Sequence, residues 1–481
     1  MKVCFVVPPP KTKDRTPERV YGCTFTYYRQ PELPILYAAA VLENDGHTVE
    51  LHDYTNGEAW SDFHKTVDSD DFDVYVFHTV LLAESIDVKA ARYILDKTRA
   101  RIIFFGPQPT KEPSSFLLDE RCFVARGEAE FVIRDLIETF KTGADSLVKG
   151  VSCLKEGQMV EAETYGIIED LDSLPIPARH LDELHGAFNP KLPDEPVTLA
   201  LTSRGCSFKC YYCVPNAISW AREIEWKRFH DGKKPPVRLR SPESVAAEFE
   251  AIRDEGYRGV SIGDDMFLYG GKKRIIEICR RLEKVGLPFG MLARCDMILD
   301  EEVVEALAAA GCRYVDLGIE SMDQAVLDDI KKGVKVEEIR EAIALLCKHG
   351  IEPKANILLG ASPLETRDTI DHTVKELSSS PLNYCMFSIA TPFPGTEFYR
   401  IAKKEGWTVE PEINDLEKNL SPTDKALVSY PNLTKEDLEK AVKRANRGFY
   451  LAPKRLWFYL RRATSLSTLK SYIKTGWKVT R

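Results

Sequence analysis

Two long stretches of this chain, 1–150 and 195–400, alternate short apolar runs with segments of helical period, and that alternation leaves few folds open. In the first stretch, apolar runs predict strands at 3–7, 47–51, 72–78, 101–105 and 121–125, with helices at 36–44, 85–98 and 130–141. A strand that is apolar along its whole length is covered on both faces, and strands separated by helices run parallel. Residues 1–150 therefore read as a doubly wound, flavodoxin- or Rossmann-like parallel sheet, which binds ligands at the carboxyl ends of its strands. In the second stretch the pattern predicts strands at 197–202, 259–262, 291–293, 314–318, 353–358 and 386–390. Helices at 241–255, 271–285, 300–310, 334–349 and 364–379 separate them, which suggests a partial (β/α)6 barrel with its site at the same ends. The expected organisation is α/β: a sheet domain 1–150, a linker 151–194, a barrel 195–400 and a helical, basic region 401–481.

At 481 residues the chain exceeds one ordinary core. With 44% apolar and 29% charged residues it has the balance of a soluble globular protein. No stretch reaches about eighteen uninterrupted apolar residues, so no transmembrane helix is expected, and 1–7 is too short for a signal segment. Nine of the twelve cysteines stand singly, at 4, 23, 122, 153, 279, 295, 312, 347 and 385. That is no disulfide framework; a reducing cytoplasm fits, and a second iron–sulfur cluster does not. The net charge is −8, yet 441–481 holds eleven Lys/Arg and no acid, interleaved with Phe449, Tyr450, Trp457, Phe458, Tyr459, Tyr472 and Trp477. Such a segment suits an anionic membrane surface, or a helical cap whose bases pair with the acidic body. A helix is expected to start at Pro453. No nucleic-acid motif is evident, and the acidic body opposes that partner.

The remaining cysteines, Cys206, Cys210 and Cys213, form a C-x3-C-x2-C run. Three soft thiolates can hold three irons of a [4Fe–4S] cluster, leaving the fourth iron open. A structural zinc site wants four ligands, and no further Cys or His lies within sixteen residues on either side. Three buried free thiols are the other alternative.

With Tyr212 directly before the third cysteine, the run resembles the radical S-adenosylmethionine (SAM) superfamily, in which SAM chelates the open iron and its reductive cleavage yields a 5′-deoxyadenosyl radical. Three loops add to this: 106–113, with Gly106 and Gln108; 125–130, with Gly127 and Glu128; and 31–37. Together with the connector 169–179 they extend the resemblance to the cobalamin (B12)-dependent branch of that superfamily, over roughly 1–400. The cofactors it implies are a [4Fe–4S] cluster, SAM and cobalamin.

By the same resemblance Cys206, Cys210 and Cys213 ligate the cluster and are catalytic, Gly263 and Asp264 hold the SAM amino group, and Arg294 pairs with its carboxylate. Glu320, in Gly318-Ile-Glu-Ser321, lies near SAM, and the segment from Asn356 to Gly360 contacts adenine. Residues 391–396 resemble the closing loop. Gly106, Gln108, Gly127 and Glu128 fall to the corrin site, and His78 faces its lower side. The chain has no D-x-H-x-x-G segment, so cobalamin is expected without a protein imidazole on cobalt; His78 as a ligand is the alternative. Other readings stay open: a divalent metal on Asp264 and Asp265, a salt bridge for Arg294, an exposed acid for Glu320, and helix capping for Ser362, Glu365 and Thr366. The implied activity is methylation of an unactivated carbon or phosphorus of a small-molecule or lipid-like substrate. Its alternative is a radical oxidative cyclase or a lipid- or porphyrin-modifying enzyme without methyl transfer. The implied partner is an external one-electron reductant of flavodoxin or ferredoxin type; a peripheral contact with the inner membrane face is expected separately, from the basic, aromatic C-terminus.

Overall fold

The computed structural model describes residues 1–481 except 12–15, 23, 27–30, 56–58, 145–146, 183–188, 190, 193, 410–424 and 463–481. It forms two compact units, one of residues 1–207 with 214–269 and one of residues 208–213 with 270–481.

Unit one begins with β1 (Lys2–Val7), buried from Val3 onward as a central parallel strand requires. Then follow α1 (Leu33–Asn44), β2 (Thr48–Asp53), α2 (Trp60–Ser69), β3 (Val74–His78), α3 (Glu84–Lys97) and β4 (Arg101–Phe105). The short α4 (Pro107–Lys111), β5 (Cys122–Ala125), α5 (Glu130–Thr142), β6 (Val151–Lys155) and β7 (Gln158–Glu161) complete a seven-stranded sheet. Its order is β2-β1-β3-β4-β5-β6-β7, parallel up to β5 and antiparallel thereafter. All five expected strands are present. Residues 151–161, read from the sequence as linker, instead add a hairpin, β6 pairing antiparallel with β5 and β7 antiparallel with β6.

The order 2-1-3-4-5 puts the reversal of winding between β1 and β3, where sheets of this kind open a crevice at the carboxyl ends. Helices α1 and α5 pack on Phe5, Val76 and Ile103 from one face, while α2 and α3 pack on Val6, Phe77 and Phe104 from the other.

The rest of unit one holds β8 (Val197–Ala200), α6 (Ala217–Phe229), α7 (Pro242–Asp254) and β9 (Gly259–Ile262), with β8 and β9 paired in parallel. Helix α7 starts as its sequence dictates, with Ser241 accepting from the Ser244 amide and Pro242 in the first turn. Helix α6 had no forecast. In the connector, Arg179 is buried, donates to Leu199 O at 2.7 Å and shares the Glu248 carboxylate with Arg240.

Unit two runs α8 (Gly271–Val285), β10 (Phe289–Arg294), α9 (Glu301–Ala309), β11 (Cys312–Glu320), α10 (Gln324–Asp329), α11 (Val336–Lys348), β12 (Glu352–Leu359), α12 (Arg367–Ser379) and β13 (Tyr384–Ile389). Strands β10 to β13 are parallel neighbours in chain order, as alternating strands and helices require. Then come α13 (Glu397–Lys404), α14 (Lys435–Tyr450) and α15 (Pro453–Arg462). Helix α15 starts at the expected proline; Tyr472 and Trp477 of the basic tail lie outside the described residues. No disulfide joins the described cysteines, and no described helix is long and apolar enough to cross a membrane.

Replacing Glu248 by Ala leaves two buried guanidinium groups facing each other without their carboxylate. The expected loss is about 3–5 kcal/mol of unfolding free energy, read from the shift of the urea midpoint.

Candidate functional site

In unit two, four side chains gather beside Cys210. Strand β11 ends in Glu320, whose φ of 66° lies in the left-handed region, and its register against β12 shifts between Gly318 and Glu320. A residue other than glycine there stores about 1–3 kcal/mol of strain. The shift brings the carboxylate over Gly318, where a Cβ would lie 3.0 Å from Glu320 Oε1 and 2.8 Å from Lys332 Nζ. Lys332, 6% exposed, donates to Glu320 Oε1 at 2.8 Å and to the Tyr212 hydroxyl at 3.4 Å. Burial works against its ammonium, but the charges of Glu320 and Cys210 outweigh it and hold Lys332 above the usual lysine range. Tyr212 is pushed well above an ordinary phenol by burial and then by Glu320 and the adjacent thiols.

Arg294 donates from Nη1 to Cys210 Sγ at 3.8 Å and lies 3.7 Å over the Phe208 ring. Its fork grips Asp296, with Nε and Nη2 each 3.0 Å from a carboxylate oxygen. The structure thus sets Arg294 in the salt bridge, and the buried cation with donors to spare is Lys332. On β12, opposite Gly318, Asn356 has a buried carboxamide oxygen with no hydrogen-bond partner among the described residues. Thr366 caps α12, Glu365 accepts from the Gly360 amide, and Ser362 donates to Asp329 at 2.6 Å.

In unit one, the cysteine run begins under tight control. Asp264, directly after Gly263 and 1% exposed, accepts from the Thr202 amide and hydroxyl at 2.6 Å each and from the Ser203 hydroxyl at 2.8 Å. It was expected to meet a ligand amine, but here its oxygens clamp the start of the cysteine loop. Gly263 donates to Ala200 O at 2.9 Å and accepts from Asn216 Nδ2 at 3.2 Å. The Asp265 carboxylate accepts from the Asn216 amide at 2.7 Å. The Tyr269 hydroxyl donates to Cys206 Sγ at 3.6 Å and accepts from the Ser207 amide at 2.9 Å. Behind the loop, Arg222 is 2% exposed, and a Cβ on Gly205 would fall 2.2 Å from its Nη2. Arg222 donates to the carbonyls of Arg204 and Pro236, at 3.1 and 3.4 Å. Burial lowers it to about 10 despite the neighbouring Glu128.

The strand-end residues of the seven-stranded sheet separate into two groups. Glu128 accepts from Arg238 Nη1 at 2.7 Å and the Ile168 amide at 2.7 Å, with Arg204 Nη1 at 3.4 Å. Burial opposes its charge, yet these arginines hold it at about 2. Gly127 donates to Thr110 at 3.1 Å, and Gln108 donates to Glu84 at 2.7 Å. These residues hold loops together. His78 and Gly106 differ. The His78 ring is 1% exposed, its Nδ1 lies 3.4 Å from Glu32 Oε2, and its Nε2 is buried with no partner among the described residues. Burial and then Arg19 lower it to about 3, so the imidazole is neutral. Gly106, φ 109°, is packed so closely that a Cβ there would lie 2.7 Å from Thr79 O and 2.9 Å from the His78 ring.

Sequence reasoning missed Lys332, Arg222, Tyr269 and Thr202. Lys331-Lys332-Gly333 reads as an exposed turn, and nothing local betrays that its second lysine is buried.

Residues 201–377 match the Radical SAM superfamily. The chain is 26% identical over 462 residues to an uncharacterized methyltransferase of Pyrococcus horikoshii, covering 94% of this chain and 93% of that protein. It is 28% identical to the anaerobic magnesium-protoporphyrin IX monomethyl ester cyclase of Cereibacter sphaeroides, over 73% of this chain but only 56% of the cyclase. To the hopanoid C-3 methylase of Methylococcus capsulatus it is 25% identical, over 83% of this chain and 74% of the methylase. Among solved structures, OxsB with aqua-cobalamin and S-adenosylmethionine superposes at a TM-score of 0.72 and 16% identity, covering 98% of this chain and 70% of OxsB. TsrM from Kitasatospora setae, with cobalamin and a [4Fe–4S] cluster, gives 0.63 and 19% identity, over 85% and 76% of the two chains. This chain matches the Radical SAM superfamily from just after β8 into α12. Its fold, over nearly its whole length, is that of solved cobalamin-dependent members.

Asp264 provides a pH test. Burial raises its carboxyl from 3.8 to about 6, against the pull of Thr202 and Ser203. The folded chain then keeps a proton that the unfolded chain releases between these values. Wild-type stability relative to Asp264→Asn should therefore fall as pH rises from about 4 to about 6 and level off above. Paired urea titrations across that range measure it.

Proposed function

We propose that this protein reductively cleaves SAM at a [4Fe–4S] cluster and uses bound cobalamin to methylate an unactivated carbon of a small-molecule or lipid-like substrate. The observation that carries the reading is the C-x3-C-x2-C run inside a matched radical SAM domain, in a fold shared with cobalamin-dependent members. When bound, the cluster supplies an electron, SAM a hydrogen-abstracting radical and a methyl group, and cobalamin the methyl carrier.

The residues present fit these groups. Cys206 and Cys210 receive hydrogen bonds from Tyr269 and Arg294, which favour thiolate ligands. Lys332 has an ammonium donor for a carboxylate, Glu320 acceptor oxygens for hydroxyl or amine, and Asn356 an unused buried acceptor for an exocyclic amine. Lys332 and Glu320 are fixed against each other, so neither has to be reorganised when a ligand arrives. At the sheet, the neutral His78 imidazole packs closely on Gly106, and its Nε2 has spare capacity. Closing of strands β8 to β13 into a partial (β/α)6 barrel, a sheet domain spanning 1–150 and an external one-electron reductant belong to the same reading.

Relatives named as cyclases support a second outcome, radical ring closure without methyl transfer. Anaerobic reconstitution with iron, sulfide and cobalamin, followed by assay of 5′-deoxyadenosine and S-adenosylhomocysteine, separates the two. Methylation yields both products and a substrate heavier by one CH2; ring closure yields only the first and a substrate poorer in hydrogen. Cys206→Ala, Cys210→Ala or Cys213→Ala is expected to abolish deoxyadenosine formation and leave cobalamin binding intact. Lys332→Met should weaken SAM binding about tenfold or more in equilibrium dialysis, with the cluster signal unchanged.

A further inference from the structure

We propose that the outward face of α15 docks on an anionic phospholipid bilayer. One side of this helix is fixed to the body of unit two. Arg455, fully buried, donates from Nη2 to the carbonyls of Leu377 and Leu382 at 2.9 and 3.0 Å, and its guanidinium lies 4.1 Å over the Phe449 ring. One turn on, the Tyr459 hydroxyl donates to Asn383 O at 3.1 Å. These bonds go to carbonyls in the last turn of α12 and in the segment between α12 and β13, so the helix cannot roll its other side inward without breaking them.

That other side is apolar and exposed. Leu456, Trp457 and Leu460 are 46%, 57% and 54% exposed, and Leu451, just before the helix, is 54% exposed. The other exposed large apolar side chains of the described residues are scattered singly between Met159 and Met386, as on any soluble surface. Four within ten residues form a patch. Its charge has one sign. Lys454, whose ammonium also donates to Ser380 O at 3.2 Å, and Arg461 are exposed on the same helix, Arg461 lies 4.8 Å over the Trp457 ring, and no acid follows Glu439 in the sequence. Leu and Trp flanked by Lys and Arg form the face of an interfacial helix, its apolar part at the acyl boundary and its cations at the phosphates.

Charge and chemistry select this occupant over others. A second copy in a symmetric contact would set Lys454 and Arg461 against their equivalents. Nucleic acid would satisfy the cations and leave three leucines in water. Residues 1–440 carry a net negative charge, whereas this face is basic and suits an anionic surface.

Sedimentation of the full chain with sucrose-loaded vesicles tests this, using phosphatidylcholine alone or mixed with phosphatidylglycerol. Wild type is expected to bind the mixed vesicles about tenfold more tightly than the neutral ones, with binding weakened by salt. A Leu456→Gln, Trp457→Gln, Leu460→Gln variant should lose at least about tenfold, and Lys454→Glu with Arg461→Glu should abolish the preference for phosphatidylglycerol. Neither variant touches Arg455 or the cysteine loop, and unchanged thermal midpoints exclude unfolding as the cause. Wild type left in the supernatant with both vesicles overturns the proposal, as does binding by the triple variant equal to wild type. A dimer in light scattering that the triple variant dissociates overturns it in favour of a second copy.

Discussion

The Glu128 carboxylate is the point on which unit one turns. It sits in the loop after β5, is almost fully buried, and is reached by Arg204, Arg238 and the Ile168 amide, which come from distant parts of the chain. Arg204 also pairs with Glu130 and lies two residues before Cys206, so the seven-stranded sheet and the start of the cysteine loop share one ionic junction. Such a junction adds little net stability, because removing each charge from water costs about what the attraction returns. What it supplies is registration. An apolar contact tolerates sliding by an ångström, whereas a carboxylate held by two guanidinium groups does not.

The fold was largely legible because its signal is local. Continuous apolar runs such as Val3–Val7 and helical periods such as 271–285 fix an element whatever it packs against. The hairpin at 151–161 is hidden by its short, partly polar strands, of which β7 buries no residue fully. Helix α6 was missed because its buried face includes Arg222 and Glu225, which read from the sequence as solvent-facing.

The site was legible in part, and the division has a physical cause. The cysteines stand out by their spacing, and Glu320 by its place at a strand end. Asp264, Arg294 and Glu128 stand at strand ends in the same way, but each carboxylate or guanidinium is engaged within the protein, by Thr202 and Ser203, by Asp296, and by Arg204 and Arg238. A charged side chain at a strand end can meet a ligand or another charge, and only tertiary structure decides which. Lys332 is the converse case, brought to Glu320 by twelve residues of turn and helix that show no ligand signature.

The short hairpin that closes the seven-stranded sheet also bears on how this protein avoids its own copies. An open sheet edge offers a row of unpaired amides and carbonyls on which another chain can add a strand. Here one edge is β7, four residues long and ending in Glu161, and the other is β2, whose exposed positions include Glu50. Brevity at one edge and negative charge at both make strand addition between like molecules unfavourable. A parallel sheet of slow-forming, long-range contacts can therefore assemble without recruiting a neighbour into it.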